Sequence, residues 1–298
     1  MKKTRRISLI TLVSLLSFQL FGQEITYKVT KDQPDDVANY FINVGLIDAG
    51  FALDNPGFGL AALSLNSVVH YKNKVGGEFT YKKYLFSLAD VNEPGSIFEL
   101  GGFYNLGSKT KSKKQKVVLA GNKKENQTTF SIPATVMRSL GVRAGFNTKN
   151  NVVQGDSTKQ GFQGSVYYKS SGLYAGILIT SQLNLKCHTS QYGIKGAGFY
   201  KRTYIDILFN PIRTVTAIEG VTSNYLEGTS DKAGALGFRV GFEFMQPEPK
   251  KVTGSAKYQK IELGMRPWDG YYVSYTLGFN YKRKVKAMSS FKVVREME

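Results

Sequence analysis

Hydrophobic and polar residues alternate along most of the chain, and this pattern predicts long β-strands. It is clearest in residues 261–281, IELGMRPWDGYYVSYTLGFNY. A period of two residues places alternate side chains on opposite faces of a strand. One face of this segment is small, polar or charged. The other is apolar or aromatic and consists of Ile261, Leu263, Met265, Tyr271, Val273, Tyr275, Leu277, Phe279 and Tyr281.

Similar segments recur from residue 39 onward and predict an all-β, antiparallel transmembrane β-barrel of about 12 strands (about 10–14). Most segments are long enough to cross a membrane at a tilt. Short turns are expected at 72–77, 170–172 and 268–270, all at one end of the barrel. Two long connections, 109–129 and 213–233, interrupt the pattern, and each is either a further hairpin or an excursion beyond the barrel. The first of them is strongly basic.

Alternation alone fits two kinds of barrel: a soluble, lipocalin-like barrel with an apolar interior, or a membrane barrel with an apolar exterior. The polar face favours the second kind. It is rich in glycine and carries isolated charges, as in Arg143 between Gly141 and Gly145. Small residues mixed with opposite charges are expected in a crowded lumen. The opposite face, around Val240 and Phe242, is continuously apolar and suits lipid.

The N-terminal residues 1–22 are predicted to be a cleaved export signal. A positive segment, MKKTRR, precedes the apolar stretch Ile7–Phe21 and the small residue Gly22. A membrane anchor is the alternative, but the stretch is short and no stop-transfer sequence follows. We therefore divide the chain into a signal peptide (1–22), a short N-terminal segment (23–38) and a barrel (39–298) with a basic insert at 109–129.

Export changes the interpretation of the charge. Loss of residues 1–22, which hold four basic and no acidic residues, lowers the formal charge from +18 to +14. In an exported protein this excess of basic residues indicates lipid headgroups, lipopolysaccharide phosphates or acidic solutes as partners, and not nucleic acid. The chain has one cysteine, Cys187, so no internal disulfide can form.

The segments GVRAGFN, GLYAGILIT and GALGFRVGFEF, with the hairpin at 261–281, resemble the outer-membrane β-barrel proteins of Gram-negative bacteria. The likeness extends over about residues 39–284 and lies in pattern, not in a diagnostic motif. It implies a location in the outer membrane, insertion by the barrel-assembly machinery, and contact with outer-membrane lipid, lipopolysaccharide and other envelope proteins.

Candidate catalytic residues are few, and we predict no catalytic site, metal site or cofactor. The two histidines are His70 and His188. Ser67 is expected on the opposite face of its strand from His70. His188 follows Cys187 in a predicted loop, where adjacent side chains rarely form a nucleophile–base pair. A lipid- or lipopolysaccharide-modifying barrel enzyme stays open as an alternative.

Charged residues on the predicted inner face are the best candidates for a functional site. They either line a narrow, porin-like channel for small anionic solutes or form a salt-bridge network that fills a structural or accessory barrel. These candidates are Glu99, Arg143, Lys169, Arg239, Glu243, Glu262 and Arg266.

Overall fold

The computed structural model describes residues 25–35, 40–52, 61–71, 73–86, 95–120, 128–154, 165–219, 234–246, 254–268 and 270–283. The predicted signal peptide lies outside this part of the chain. Eleven β-strands occupy most of the described residues. Their bounds are β1 Tyr27–Asp32, β2 Tyr40–Ala52, β3 Ala61–Tyr71, β4 Val75–Phe86, β5 Ser96–Ala120, β6 Thr128–Gln154, β7 Ser165–Thr189, β8 Gly193–Glu219, β9 Leu236–Gln246, β10 Gly254–Arg266 and β11 Gly270–Arg283.

Strands β2–β11 form a closed antiparallel barrel. Each strand pairs with its neighbours in sequence, and β11 pairs with β2, which closes the circle. Strand β1 lies outside the barrel and pairs with the last residues of β7. The structure therefore confirms an all-β antiparallel barrel, with ten strands in place of the predicted 12.

The barrel has two ends. At the terminal end, β2 begins at Tyr40 and β11 ends at Arg283. The connection between β3 and β4 is at this end, whereas the connection between β10 and β11 is at the opposite end. The prediction that all the short turns share one end was therefore wrong.

The third predicted turn, at 170–172, lies within β7. Two segments that were read as separate strands form one strand there. Gly172 is needed for close contact between strands and not for a turn, because an added Cβ would lie 2.0 Å from the carbonyl oxygen of Phe209 on β8. The pairing of β7 with β8 is irregular at this point, between Ser171 and Leu173.

Two pairs of strands continue beyond the barrel wall at the terminal end. Strand β4 pairs with β5 as far as Tyr104, and β6 pairs with β7 as far as Met137 and Gln182. Beyond these points, 110–120 pairs with 128–137, which we call the β5–β6 arm. Likewise, 183–189 pairs with 193–199, which we call the β7–β8 arm. The described residues of the basic insert are thus continuations of β5 and β6.

The two arms pack against each other through an apolar cluster. In the barrel, even-numbered residues of β7 such as Leu178 and Thr180 point inward, but in the arm the odd-numbered residues are buried. The arms therefore meet through the faces that continue the barrel exterior. The cluster contains Val117, Leu119, Ile132, Ala134, Val136, Leu183, Leu185 and Cys187.

Asp32 connects β1 to the β5–β6 arm. Its Oδ1 accepts a hydrogen bond from the backbone N–H of Thr135 at 2.8 Å. Its Oδ2 accepts another from the hydroxyl of Thr135 at 2.7 Å. Strand β1 therefore bridges the gap that opens where β6 and β7 separate.

The barrel wall has an apolar outer face and a polar inner face. Neighbouring residues alternate, as in buried Asn43 beside exposed Val44 and buried Arg143 beside exposed Val142. The large apolar side chains exposed on the wall include Val44, Leu65, Leu100, Val142, Ile177, Ile205, Phe242, Leu263 and Val273. Large apolar side chains thus cover the outside of the wall, and many of the inward-facing side chains are polar or charged.

Candidate functional site: the charged interior

The inward-facing side chains of the barrel form a network of ion pairs. Among the described residues, seven cationic and five anionic side chains are buried. The cationic residues are Lys82, Arg143, Lys149, Arg202, Arg239, Lys260 and Arg266, and the anionic residues are Glu78, Glu99, Asp206, Glu243 and Glu262. The network has three centres, each built around a carboxylate or a carboxylate pair.

Glu78 on β4 is the first centre. Its Oε1 lies 2.6 Å from Nη2 of Arg143 and accepts a hydrogen bond from the hydroxyl of Tyr174 at 2.9 Å. Its Oε2 accepts a hydrogen bond from Arg202. Arg202 also donates to Oε2 of Glu243 at 2.9 Å, so five strands, β4 and β6–β9, meet in this centre.

Arg239 on β9 is the second centre. Its Nε donates to Oδ2 of Asp206 at 2.6 Å, and its Nη1 donates to Oε1 of Glu99 at 2.5 Å. The same Asp206 oxygen lies 3.5 Å from Nη1 of Arg143, which links the first two centres. The two arginine side chains thus share one carboxylate near the middle of the barrel.

Glu262 on β10 is the third centre. Its Oε2 lies 3.0 Å from Nζ of Lys260 and accepts a hydrogen bond from Tyr204 at 2.7 Å. Its Oε1 accepts one from Tyr272 at 2.7 Å and lies 3.8 Å from Nη2 of Arg266. Both carboxylate oxygens therefore have cationic and phenolic partners.

Inward-facing glycines make room for the tyrosine rings of this network. A Cβ added to Gly241 would lie 2.1 Å from a ring atom of Tyr204, and one added to Gly101 would lie 2.1 Å from the hydroxyl of Tyr174. Arg143 lies over the Tyr204 ring, with Cζ 4.0 Å from its centroid. Such contacts are favourable between a cation and an aromatic face. The glycines on the polar face are therefore packing positions.

Toward the terminal end the interior is filled by an apolar and aromatic cluster. The rings of Phe41 and Tyr200 stack with centroids 4.9 Å apart. The His70 ring makes edge contacts with both of these rings and with Phe103. We call this the aromatic cluster, and its members are Phe41, Val68, His70, Phe103, Leu178, Tyr200, Tyr204, Met245 and Tyr258.

Toward the opposite end the interior contains a small cavity of about 30 Å³. Three cations, Lys149, Arg239 and Arg266, and one carboxylate, Glu99, line it together with Asn147. A space of this size admits a small number of water molecules.

Six of the seven predicted lumen residues are buried in the interior: Glu99, Arg143, Arg239, Glu243, Glu262 and Arg266. The placement of Lys169 was wrong. Its side chain is exposed, because the neighbouring Ser170 points inward on the continuous strand β7. The phase of alternation was misjudged where a turn was expected.

Several members of the network, including Glu78, Arg202 and Asp206, were not among the predicted lumen residues. The alternation of polar and apolar residues could have identified two of them, Arg202 and Asp206. In the stretch KRTYIDIL, Arg202, Tyr204 and Asp206 share one phase of the alternation, opposite to Ile205 and Ile207. All three are buried, whereas the two isoleucines are exposed.

Among the described residues, the histidines do not form a nucleophile–base pair with Ser67 or Cys187. Ser67 is half-buried on the outer face of β3, and His70 is buried inside. Cys187 and His188 are on strand β7, not in the predicted loop. Cys187 is buried between the arms and His188 is exposed on the other face.

The described residues contain no group of three or more histidine, cysteine or acidic side chains placed to hold a metal ion. Nor does this part of the chain contain a helix long and apolar enough to cross a membrane.

Beside the cavity, Trp268 fixes the β10–β11 turn to β8. Its Nε1 donates to the carbonyl oxygen of Asn210 at 2.8 Å, and its backbone N–H donates to that of Gly234 at 3.2 Å. The guanidinium of Arg213 lies 5.0 Å from the indole centroid. These contacts pass across the start of β9, which lies between β8 and β10.

No protein-family model matches this chain, and no curated protein matches it significantly.

Proposed function

We propose that this protein is a non-enzymatic barrel of the bacterial outer membrane with a closed interior, serving as a structural or accessory component of the envelope. The membrane location is supported by the apolar outer wall, where Ile205, Ile177 and Phe242 each expose about half of their surface. A closed barrel leaves no unpaired sheet edge in lipid. The N-terminal sequence, with its basic and apolar segments, supports export.

The observation that carries the closed interior is the filling of its cross-section by side chains. Tyr200, Tyr204, Tyr258 and Phe41 are each at most 1% exposed in the aromatic cluster. Two of the ion-pair centres connect opposite walls of the barrel, since Glu78 on β4 meets Arg202 on β8 and Glu99 on β5 meets Arg239 on β9. Eight-stranded barrels have interiors that side chains just fill, whereas barrels of about 16 strands leave an aqueous channel. A barrel of ten strands with this many large inward-facing side chains is therefore expected to have a filled interior, like the eight-stranded barrels.

Conductance measurements test this proposal. We expect the refolded mature protein to insert into planar lipid bilayers without producing steady current steps, while a porin in the same bilayers conducts. Insertion is checked separately by resistance of the vesicle-bound protein to alkaline extraction. A steady current through the inserted protein would contradict the closed interior, and failure to insert would contradict the membrane location.

A second candidate, a narrow path for small anions, is favoured by the cavity at the opposite end. Three of the four charged residues that line it are cationic. This candidate predicts an anion-selective current whose selectivity shifts toward cations in Arg239→Glu. The same bilayer experiment therefore separates the two functions.

The enzyme alternative has a test of its own. Histidine-dependent lipid modification would be lost in the double variant His70→Ala/His188→Ala. We expect lipid and lipopolysaccharide composition of the producing cells to be the same with this variant as with the wild type. A change in acylation that needs either histidine would contradict our proposal.

A further inference from the structure

A groove of about 990 Å³ lies on the outside of the barrel, near the terminal end. One side is formed by the β5–β6 arm, through residues such as Lys113 and Gln115. The other side is the outer face of β7, β8 and β9, represented by Ile179, Thr203 and Phe244. The groove lies where the β5–β6 arm packs on the β7–β8 arm instead of pairing with the barrel wall.

The charge of the groove has one sign. Five cationic side chains line it, and no Asp or Glu does so among the described residues. All five are exposed, and none forms an ion pair with a described carboxylate, in contrast to the interior, where each centre pairs cations with carboxylates. The five are Lys111, Lys113, Lys116, Arg138 and Lys201.

The floor of the groove contains apolar side chains that continue the barrel exterior. Ile179 is 47% exposed and follows Ile177, which points outward on the same strand. Nζ of Lys201 lies 5.0 Å from the ring centroids of both Phe199 and Phe244. The Lys201 ammonium thus lies beside aromatic rings at the edge of an apolar wall. A lysine in this position can keep its aliphatic stem in an apolar environment while its charged end reaches lipid headgroups.

We propose that this groove binds the anionic headgroup of a membrane lipid. Its phosphate contacts the arm lysines, and an acyl chain lies along Ile179 and Phe244 on the barrel wall. The one-signed charge fits a phosphate. The apolar surface that runs from the groove to the barrel exterior fits a hydrocarbon chain attached to that phosphate. A soluble anion has no such chain and would not contact this surface. The inference rests on the proposed membrane location of the barrel.

Lipid binding to the detergent-solubilised mature protein tests the proposal. Native mass spectrometry would measure retention of phosphatidylglycerol, of phosphatidylcholine with the same acyl chains, and of soluble glycerol phosphate. We expect preferential retention of phosphatidylglycerol. The triple variant Lys111→Gln/Lys113→Gln/Lys116→Gln should lose about tenfold or more in affinity, because it removes three cations that attract the anionic headgroup.

Two matched variants control for charge and for folding. Lys28→Gln/Lys83→Gln/Lys169→Gln removes three exposed lysines outside the groove, and it should bind phosphatidylglycerol as the wild type does. The variant Lys111→Arg/Lys113→Arg/Lys116→Arg keeps the charge and should keep the binding. Heat-modifiable migration in gel electrophoresis shows whether each variant is a folded barrel.

Three results would overturn the proposal: equal affinity for the two lipids, equal loss in both glutamine variants, or binding of glycerol phosphate as tight as that of phosphatidylglycerol. The last would assign the groove to a soluble phosphate compound. Membrane insertion is measured separately, by alkaline extraction. A barrel that inserts but does not select anionic lipid would therefore contradict lipid binding in the groove and leave the proposed membrane location intact.

Discussion

The Glu78 carboxylate shows how single residues stabilise the interior. It is 7% exposed and interacts with Arg143, Arg202 and Tyr174, which reach it from three other strands. Burying an ion is costly unless it is paired and hydrogen-bonded, and breaking such a pair leaves the partner charge uncompensated. Loss of this one carboxylate would therefore affect strands around half of the barrel.

For the substitution Glu78→Gln we expect a loss of about 3–5 kcal/mol in the free energy of unfolding, because two buried arginines lose their shared counter-charge. Urea titration in detergent micelles, followed by the heat-modifiable gel shift, measures the change. Asp35→Asn is the control, since Asp35 is exposed outside the barrel. Equal stability of the two variants would show that the interior charges are not coupled as described.

The glycines beside the tyrosines offer a second test at this scale. In Gly241→Ala the new methyl group would meet the Tyr204 ring, so we expect a loss of about 1–3 kcal/mol in stability from overpacking. Gly107→Ala is the matched control, because a Cβ there has no atom within 4 Å. The same urea titration compares them. A Gly241 variant as stable as the control would contradict the tight packing of Tyr204.

At the scale of elements, the two arms depend on β1. The edges of β6 and β7 separate beyond Met137 and Gln182, and β1 pairs with the exposed edge of β7 while Asp32 bonds to Thr135. Cys187 is buried in the cluster between the arms. Burial raises the pKa of its thiol, which further lowers the fraction of reactive thiolate near neutral pH.

Substitution of Asp32 should loosen this assembly. In Asp32→Ala the arm loses both side-chain bonds to Thr135, so we expect Cys187 to react with a maleimide at least several-fold faster than in the wild type. The raised pKa predicts that labelling of the wild type accelerates as pH rises above neutral. Asp35→Ala is the control, and an unchanged labelling rate in Asp32→Ala would show that β1 does not hold the arms together.

The sequence predicted most strands but not their continuity. The two-residue period is a property of each strand and does not depend on which strands lie beside it. The apolar and polar faces of segments such as 261–281 were therefore predicted correctly. Strand β7 was divided at Ser170–Gly172 because a glycine after two serines also fits a turn. Only the carbonyl oxygen of Phe209, on the neighbouring strand β8, shows that Gly172 is a close-approach position. The error in phase at Lys169 follows from that division.

For the whole molecule, the opposition of an apolar exterior to a charged interior was predictable, whereas the partners within the interior were not. The sequence shows that Arg239 and Glu262 share the phase of the inner face. It does not show which carboxylate an arginine meets, because that depends on strand tilt and register around the closed barrel. Asp206 between Arg143 and Arg239 is such a pairing.

A charge on the outer wall tests the proposal that this wall faces lipid. In Ile205→Arg the new guanidinium lies between Val240 and Ile177 on the middle of the wall. We expect a cost of about 2–4 kcal/mol for folding into lipid vesicles, because the charge enters hydrocarbon. Val29→Arg is the control, as Val29 is exposed on β1 outside the barrel. Equal folding yields of the two variants in vesicles would contradict the lipid-facing wall.

The position of Trp268 has a practical consequence. The chain contains no other tryptophan, and the indole of this one is hydrogen-bonded to Asn210 across the start of β9. Its ultraviolet emission is therefore an intrinsic optical reporter for the moment at which β8, β9 and β10 come into register. Stopped-flow fluorescence would therefore measure the rate at which these three strands pair during folding, without an added dye.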